Sequence, residues 1–172
     1  MRIAATKAGM SFIIKHANGH NEHSERFLKD LGLEADDVVV DNKGKLVIDI
    51  TNPLTADYMG LAFGHSTSAA EEIAKAVPGA EIVKGFNTVF AQVLAEGADF
   101  GNGRKVTVFV ASDSARAKQT ATALAESLGF DVVDAGGLKN ARYLEPLAGL
   151  NIYLGYGAGL GTAIAPTWIR KA

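Results

Sequence analysis

Apolar residues fall along this chain in short continuous runs and in helical periods, and the two alternate. Leu46-Val47-Ile48-Asp49-Ile50 is a nearly continuous β-branched run that ends at the turn signal Thr51-Asn52-Pro53. A run apolar on both faces predicts a strand buried between helices in a parallel sheet. Ser68-Ala69-Ala70-Glu71 has the form of a capping box, in which the serine accepts from a free first-turn N–H and the glutamate reaches back. The helix it opens is predicted to run to about Val77, with Ala69, Ile73, Ala76 and Val77 on its apolar side and Pro78-Gly79 as its stop. Glu81-Ile82-Val83-Lys84-Gly85 predicts the next strand, and Thr88 to Ala95 a helix with Val89, Val93 and Leu94 apolar. Gly101-Asn102-Gly103 reads as a turn, and Lys105 to Val110 is the clearest strand of the chain. Asp113 then caps a long alanine-rich helix to about Leu128, closed by Gly129, and Phe130-Asp131-Val132-Val133 returns as a strand.

Strands that alternate with helices predict βαβ units: an α/β fold whose parallel sheet carries helices on both faces. An antiparallel α+β layer would need hairpin turns, for which the intervening helices leave no room. After Asp134 the pattern changes. Lys139 to Leu154 is helical by composition, with Leu144, Leu147, Leu150 and Leu154 at helical spacing and Pro146 marking a kink or a first turn. Leu150 to Trp168 is apolar and glycine-rich, with few charges, which predicts a subunit interface and a homodimer. The first 44 residues are less patterned. Arg2 to Ala5 and Asp37 to Val40 read as strands, and Glu22 to Leu33 as a short helix. The chain reads as a single domain in three stretches: 1–44, 45–138 and the helical, pairing segment 139–172.

Composition narrows the function classes. With 17 basic and 19 acidic residues, the chain has no positive field to draw in nucleic acid. It has no cysteine, which excludes disulfides, thiolate catalysis and iron–sulfur clusters and fits a cytoplasmic setting. No apolar run approaches the ~18 residues of a transmembrane helix, and no signal peptide is expected.

Nineteen glycines raise the question of a phosphate-binding loop. The richest cluster, Gly155-Tyr156-Gly157-Ala158-Gly159-Leu160-Gly161, follows a helix and alternates, whereas a dinucleotide fingerprint is G-x-G-x-x-G between a strand and a helix. It reads as a flexible or closely packed helix end. Near the N-terminus the context suits a fingerprint, but of its three glycine positions only Gly9 holds a glycine. His16, His20 and His23 have helical metal-ligand spacing, yet Asn18-Gly19 between them reads as a turn, so no metal site is assigned. No serine–histidine–aspartate or other catalytic set stands out. Asn52 and Asn87, each just past a predicted strand, are better placed. Ligands of open α/β sheets bind at the carboxyl ends of strands. Either asparagine could offer its amide to a planar ligand or simply cap a turn.

At these residues the chain resembles the NADP oxidoreductases of the coenzyme F-420-dependent type. The matching stretches are Gly44 to Leu54, Ser68 to Glu71, Val83 to Thr88, Val108 to Asp113 and Asp134 to Glu145, in the family's order. The resemblance implies a Rossmann-like fold with a C-terminal helical segment that pairs subunits. It implies NADP as cofactor, with coenzyme F-420 or a flavin as co-substrate. It implies hydride transfer between nicotinamide C4 and deazaflavin C5, with Asn52, Pro53, Asn87 and Thr88 along the nicotinamide and Ala135 and Gly136 beside the rings. The cofactors carry that chemistry, so no catalytic side chain is expected. The family commonly has proline where this chain has Gly137, which loosens that turn. The N-terminal 44 residues are too short for a complete βαβαβ half and read as a degenerate or shortened one. The alternative is a non-catalytic, dimerising Rossmann-like protein that has lost its cofactor.

Overall fold

The computed structural model describes residues 44–58, 60–62, 64–101, 103–168 and 171. Gly9, the three histidines at 16, 20 and 23 and the N-terminal elements lie outside the described residues. Among the described residues there are four short strands: β1 (Leu46–Asp49), β2 (Glu81–Lys84), β3 (Thr107–Val110) and β4 (Asp131–Asp134). They alternate with α1 (Ala69–Ala76), α2 (Ala91–Glu96) and α3 (Ala115–Ser127), and α4 (Ala141–Ile152) follows β4. β1 pairs with β2 in parallel from Leu46 opposite Glu81 to Asp49 opposite Lys84. β3 pairs with β4 in parallel from Thr107 opposite Asp131 to Val110 opposite Asp134.

The fold is α/β with parallel strand pairs, but the two pairs do not run the same way. Lys84 and Ala111 exchange both backbone hydrogen bonds, each 2.9 Å, in an antiparallel bridge. Ser112 Oγ continues that direction by donating to the Ile82 carbonyl. The extra reversal comes from the connection between β2 and β3. There α2 is only six residues, about 9 Å at 1.5 Å per residue, and a hairpin follows it. Asp99 bridges Lys105, and Phe100 N donates to Arg104 O around Gly101 and Gly103, both left-handed. A hairpin turn thus does fit between the helices, which the sequence pattern had argued against.

Helices cover both faces. Leu46, Ile48, Val83, Val108 and Val110 pack with α2 and with Ala117, Ala121 and Ala125 of α3. The alternate positions Val47 and Ile82 pack against α1, and Phe109 against α4. This is the period-two division of a strand buried on both sides. Each such fully buried valine contributes roughly 1.5–3 kcal/mol.

Several local expectations are corrected. α1 buries Ala70 and packs half-buried Ile73 and Ala74, with Val77 at its C-cap, against the core; Ala76 is exposed. The second predicted helix starts three residues late, at Ala91, because Phe86 takes a left-handed conformation (φ 60°) and Asn87-Thr88 form a turn. The cap of α3 is Ser114, which accepts from Ala117 N; Asp113 instead accepts from Leu138 N. Pro146 lies inside α4, beyond its first turn. Gly137 has φ −73° and ψ 165°, within proline's range, but a Cβ there would lie 2.8 Å from Asp113 Oδ1, so the glycine leaves room for that carboxylate.

The C-terminal glycines end a helix by close packing. After α4 the chain makes a wide helical turn over Tyr153–Gly157. A Cβ on Gly155 would lie 2.7 Å from Phe90 Cζ and 3.1 Å from Gly161 O. Phe90 is itself buried and packs edge-on against Tyr156 at 5.7 Å. Gly155→Ala is therefore expected to lower stability by about 1–3 kcal/mol through overpacking, read as a fall in Tm. An unchanged Tm would show that this turn relaxes freely.

Candidate functional site

Asn52 and Asn87 follow the parallel strands β1 and β2, so both emerge at the same edge of the sheet. The structure joins them. Asn52 Nδ2 donates to Asn87 O (2.9 Å), and Asn87 Nδ2 donates to Asn52 Oδ1 (3.0 Å) and to Leu144 O of α4 (2.9 Å). Both partners of Asn87 Nδ2 are acceptors, so the amide cannot flip without facing oxygen to oxygen. Asn87 Oδ1 is then left buried with no partner among the described residues, as is Thr88 Oγ1. An unpaired buried acceptor costs about 1–3 kcal/mol, so each such group calls for an explanation. The left-handed Phe86 that turns Asn87 toward Asn52 adds a further local cost of order 1–3 kcal/mol. Pro53 is buried beside this pair in the chain, and Asn151 Nδ2 of α4 holds the Thr88 carbonyl at 3.1 Å.

Beneath the pair lies a charge cluster that the sequence reading missed. Lys84 Nζ contacts Asp49 Oδ2 (2.7 Å), Glu145 Oε1 (2.9 Å) and the Thr51 carbonyl (2.5 Å), and the lysine and aspartate are fully buried. Two ammonium donors are used in hydrogen bonds, to Asp49 and Thr51, and the Glu145 contact is an ion pair. Asp49 Oδ1 accepts from Thr51 N (2.9 Å) and Thr51 Oγ1 (2.8 Å). Glu145 also accepts from Ala69 N (2.9 Å) and Ala70 N (3.2 Å), the free amides at the start of α1. That helix end, with its partial positive charge, balances the second carboxylate. The available signal was a charged residue closing each of two strands with apolar centres, Asp49 and Lys84, directly opposite in register.

A second tie locks α4 onto α1. Arg142 donates to both oxygens of Glu71, at 2.8 and 2.7 Å, and Ser68 Oγ donates to Glu71 Oε2 while accepting from Glu71 N. The Arg142 guanidinium, more than the serine hydroxyl, holds the Glu71 carboxyl below its ordinary value of 4.5. A lowered folded value means the pair contributes fully above about 4.5 and is lost as pH falls through the lower folded value. Glu71→Gln is thus expected to lower Tm at pH 7 and to have little effect near pH 3. A Tm difference that persists undiminished at pH 3 would contradict this.

Ala135 and Gly136 follow β4, which runs opposite to β1 and β2, and they make no hydrogen bond with Asn52 or Asn87 among those described. Ala135 accepts from Asn140 Nδ2 (2.6 Å), and left-handed Gly136 (φ 89°) has its carbonyl on Ser112 N. The link to the asparagine pair is Leu144: its side chain belongs to the apolar cluster against which Ala135 packs, and its carbonyl orients Asn87. An open cavity of about 510 Å³ lies against Asn140, lined also by His65, Lys139, Arg142, Tyr143 and Pro146. Among the described residues no cluster of three or more histidine, cysteine or acidic side chains could hold a metal, and no helix is long and apolar enough to cross a membrane.

A Rossmann-like domain, with its candidate ligand groups at the carboxyl ends of parallel strands, is the class this fold and site define. No family model matches the chain. Among curated proteins it is 34% identical over 119 residues to the F420-dependent NADP reductase of Methanothermobacter marburgensis, covering 65% of this chain and 52% of that protein. It is 33% identical over 104 residues to Metalloreductase STEAP3 of Rattus norvegicus, covering 60% of this chain and 20% of that protein. Among solved structures, one from Arthrobacter sp. FB24, assigned as an F420-dependent NADP-reductase, superposes with a TM-score of 0.62 at 32% identity. That match covers 70% of this chain and 56% of the other. The chain is thus similar to an F420-dependent NADP reductase over about half that protein's length and to a metalloreductase over about a fifth of its length.

Proposed function

We propose that this chain is an NADP(H)-dependent oxidoreductase that transfers a hydride between nicotinamide and a deazaflavin or flavin acceptor. One observation carries the reading: Asn87 Oδ1, buried and with no partner among the described residues, at the carboxyl edge of β1 and β2. A primary carboxamide such as that of nicotinamide has N–H donors that fit this acceptor, and hydrogen bonding there offsets the cost of leaving it bare. When bound, the nicotinamide supplies the hydride chemistry. The residues of the chain bind and orient. Asn87 Oδ1 accepts from the carboxamide N–H, Asn52 and the Leu144 carbonyl hold Asn87 in that rotamer, and Pro53 and Thr88 follow the two asparagines in the chain. Ala135 and Gly136 stand on the acceptor side, Ala135 packing against the cluster that contains Leu144, and Gly9 belongs to the pyrophosphate end. The acceptor class follows the name of the Methanothermobacter relative, which joins NADP to F420. Titration of the chain with NADPH and with NADH by calorimetry or nicotinamide fluorescence tests the reading. Saturable NADPH binding supports it, and no binding at millimolar cofactor overturns it.

A specific observation favours a second reading, a non-catalytic protein that pairs through its C-terminal segment. Tyr153, Tyr156, Leu160 and Trp168 are each at least half exposed on that segment, a concentration of apolar surface suited to a second copy of the chain. Pairing is compatible with either reading. A dimer by light scattering without NADPH binding selects the second, and a strict monomer removes the pairing from both.

A further inference from the structure

Apolar residues could fill the carboxyl edge of β1 and β2 without the cost of desolvating three charges. Replacing a buried ion pair by well-packed apolar groups is often neutral or stabilising. Holding the cluster together therefore calls for a role beyond stability, and its geometry supplies one. The Lys84 ammonium grips the Thr51 carbonyl, and its partner Asp49 grips the Thr51 amide and hydroxyl. Thr51 is thus held at three of its polar groups by one ion pair. The next residue is Asn52, whose Oδ1 keeps the Asn87 amide in place. On its other side the same ammonium reaches Glu145, the neighbour of Leu144, whose carbonyl takes the second Asn87 proton. Both acceptors that orient Asn87 therefore trace back to one buried nitrogen.

We propose that the Lys84–Asp49 pair is a positioning device for the candidate site, fixing the Thr51 turn so that the Asn52–Asn87 amides keep Asn87 Oδ1 free for a ligand N–H. The ligand in this inference rests on the oxidoreductase reading; the geometry does not. Lys84 and Asp49 touch no reacting atom in this scheme and act only through Thr51 and Glu145.

The test is the double variant Lys84→Met with Asp49→Leu, which removes both charges together and leaves Glu145 on the α1 amides. Two readouts are taken on the folded protein: the side-chain amide resonances of Asn52 and Asn87 by NMR without cofactor, and the NADPH dissociation constant. The expected result is a Tm above that of Lys84→Met alone, displaced amide resonances and NADPH affinity weaker by about tenfold or more. A merely structural role would move the Tm and leave the amides of the folded fraction alone. Unmoved resonances and unchanged affinity overturn the proposal. Should the double variant not fold, Thr51→Val removes only the hydroxyl bond to Asp49 at a half-buried position. It is expected to displace the Asn52 resonance, and an unmoved one overturns the proposal equally. If the wild type fails to bind NADPH, the oxidoreductase reading falls alone, because the amide resonances still decide the positioning role.

Discussion

Lys84→Met is expected to lower the unfolding free energy by about 3–5 kcal/mol, the cost of breaking a buried ion pair by removing one partner. Methionine fills the lysine stem but leaves Asp49 and Glu145 facing the vacated ammonium position, 2.7 and 2.9 Å from where it stood. Glu145 keeps two helix-end amides and Asp49 keeps Thr51, so neither carboxylate is bare. They are nevertheless two like charges in a dry site. Urea unfolding at neutral pH, followed by circular dichroism, measures the loss. The double variant with Asp49→Leu is expected to be more stable than Lys84→Met alone, because it removes one of the stranded charges. This reversal of additivity is the signature of residues in one network. A loss under 1 kcal/mol for Lys84→Met, on the order of a surface substitution, would mean that water reaches the cluster.

Asn87→Asp is the second large effect. The substitution is nearly isosteric and replaces one donor group by an oxygen. That oxygen would face Asn52 Oδ1 and Leu144 O, the two acceptors now served by Asn87 Nδ2. Stability is expected to fall by about 1–3 kcal/mol or more, since two buried acceptors lose their donor and a charge is added. The pH dependence gives the sign. Burial and surrounding oxygens disfavour the ionised form, so the folded value of the new carboxyl lies above the ~3.9 of an unfolded aspartate. Its stability relative to the wild type is then highest below about 3.9 and falls as pH rises through the raised folded value. Under the proposed function, NADPH affinity falls with it at neutral pH. Equal Tm losses at pH 4 and pH 8 would contradict the buried, acceptor-lined setting.

Much of this was legible from local pattern. The strands at Leu46 and Lys105, the Ser68 cap and the stop at Gly129 were each readable within a few residues, because apolar period, side-chain caps and glycine turns act over one or two helical turns. Asn52 and Asn87 could be singled out from their places after strands. Their role stayed open, since an asparagine after a strand caps a turn as readily as it faces a ligand. The Ala76 and Asp113 misreadings are of the same local kind: two adjacent residues competed for one face or one cap, and packing chose the neighbour.

The chain by itself determined its alternation of strands and helices, its lack of thiol chemistry and the stretches that relate it to the NADP oxidoreductases. Only the tertiary structure decided that β3 and β4 run against β1 and β2, because a hairpin of a few residues outweighed the period of the elements on either side. Only it decided that Asp49, Lys84 and Glu145 form one cluster and that Asn87 Oδ1 has no partner among the described residues. The contacts responsible join residues 35, 57 and 76 positions apart. Hydrogen bonds over such separations are set by how the helices close on the sheet, which no local window of the sequence contains.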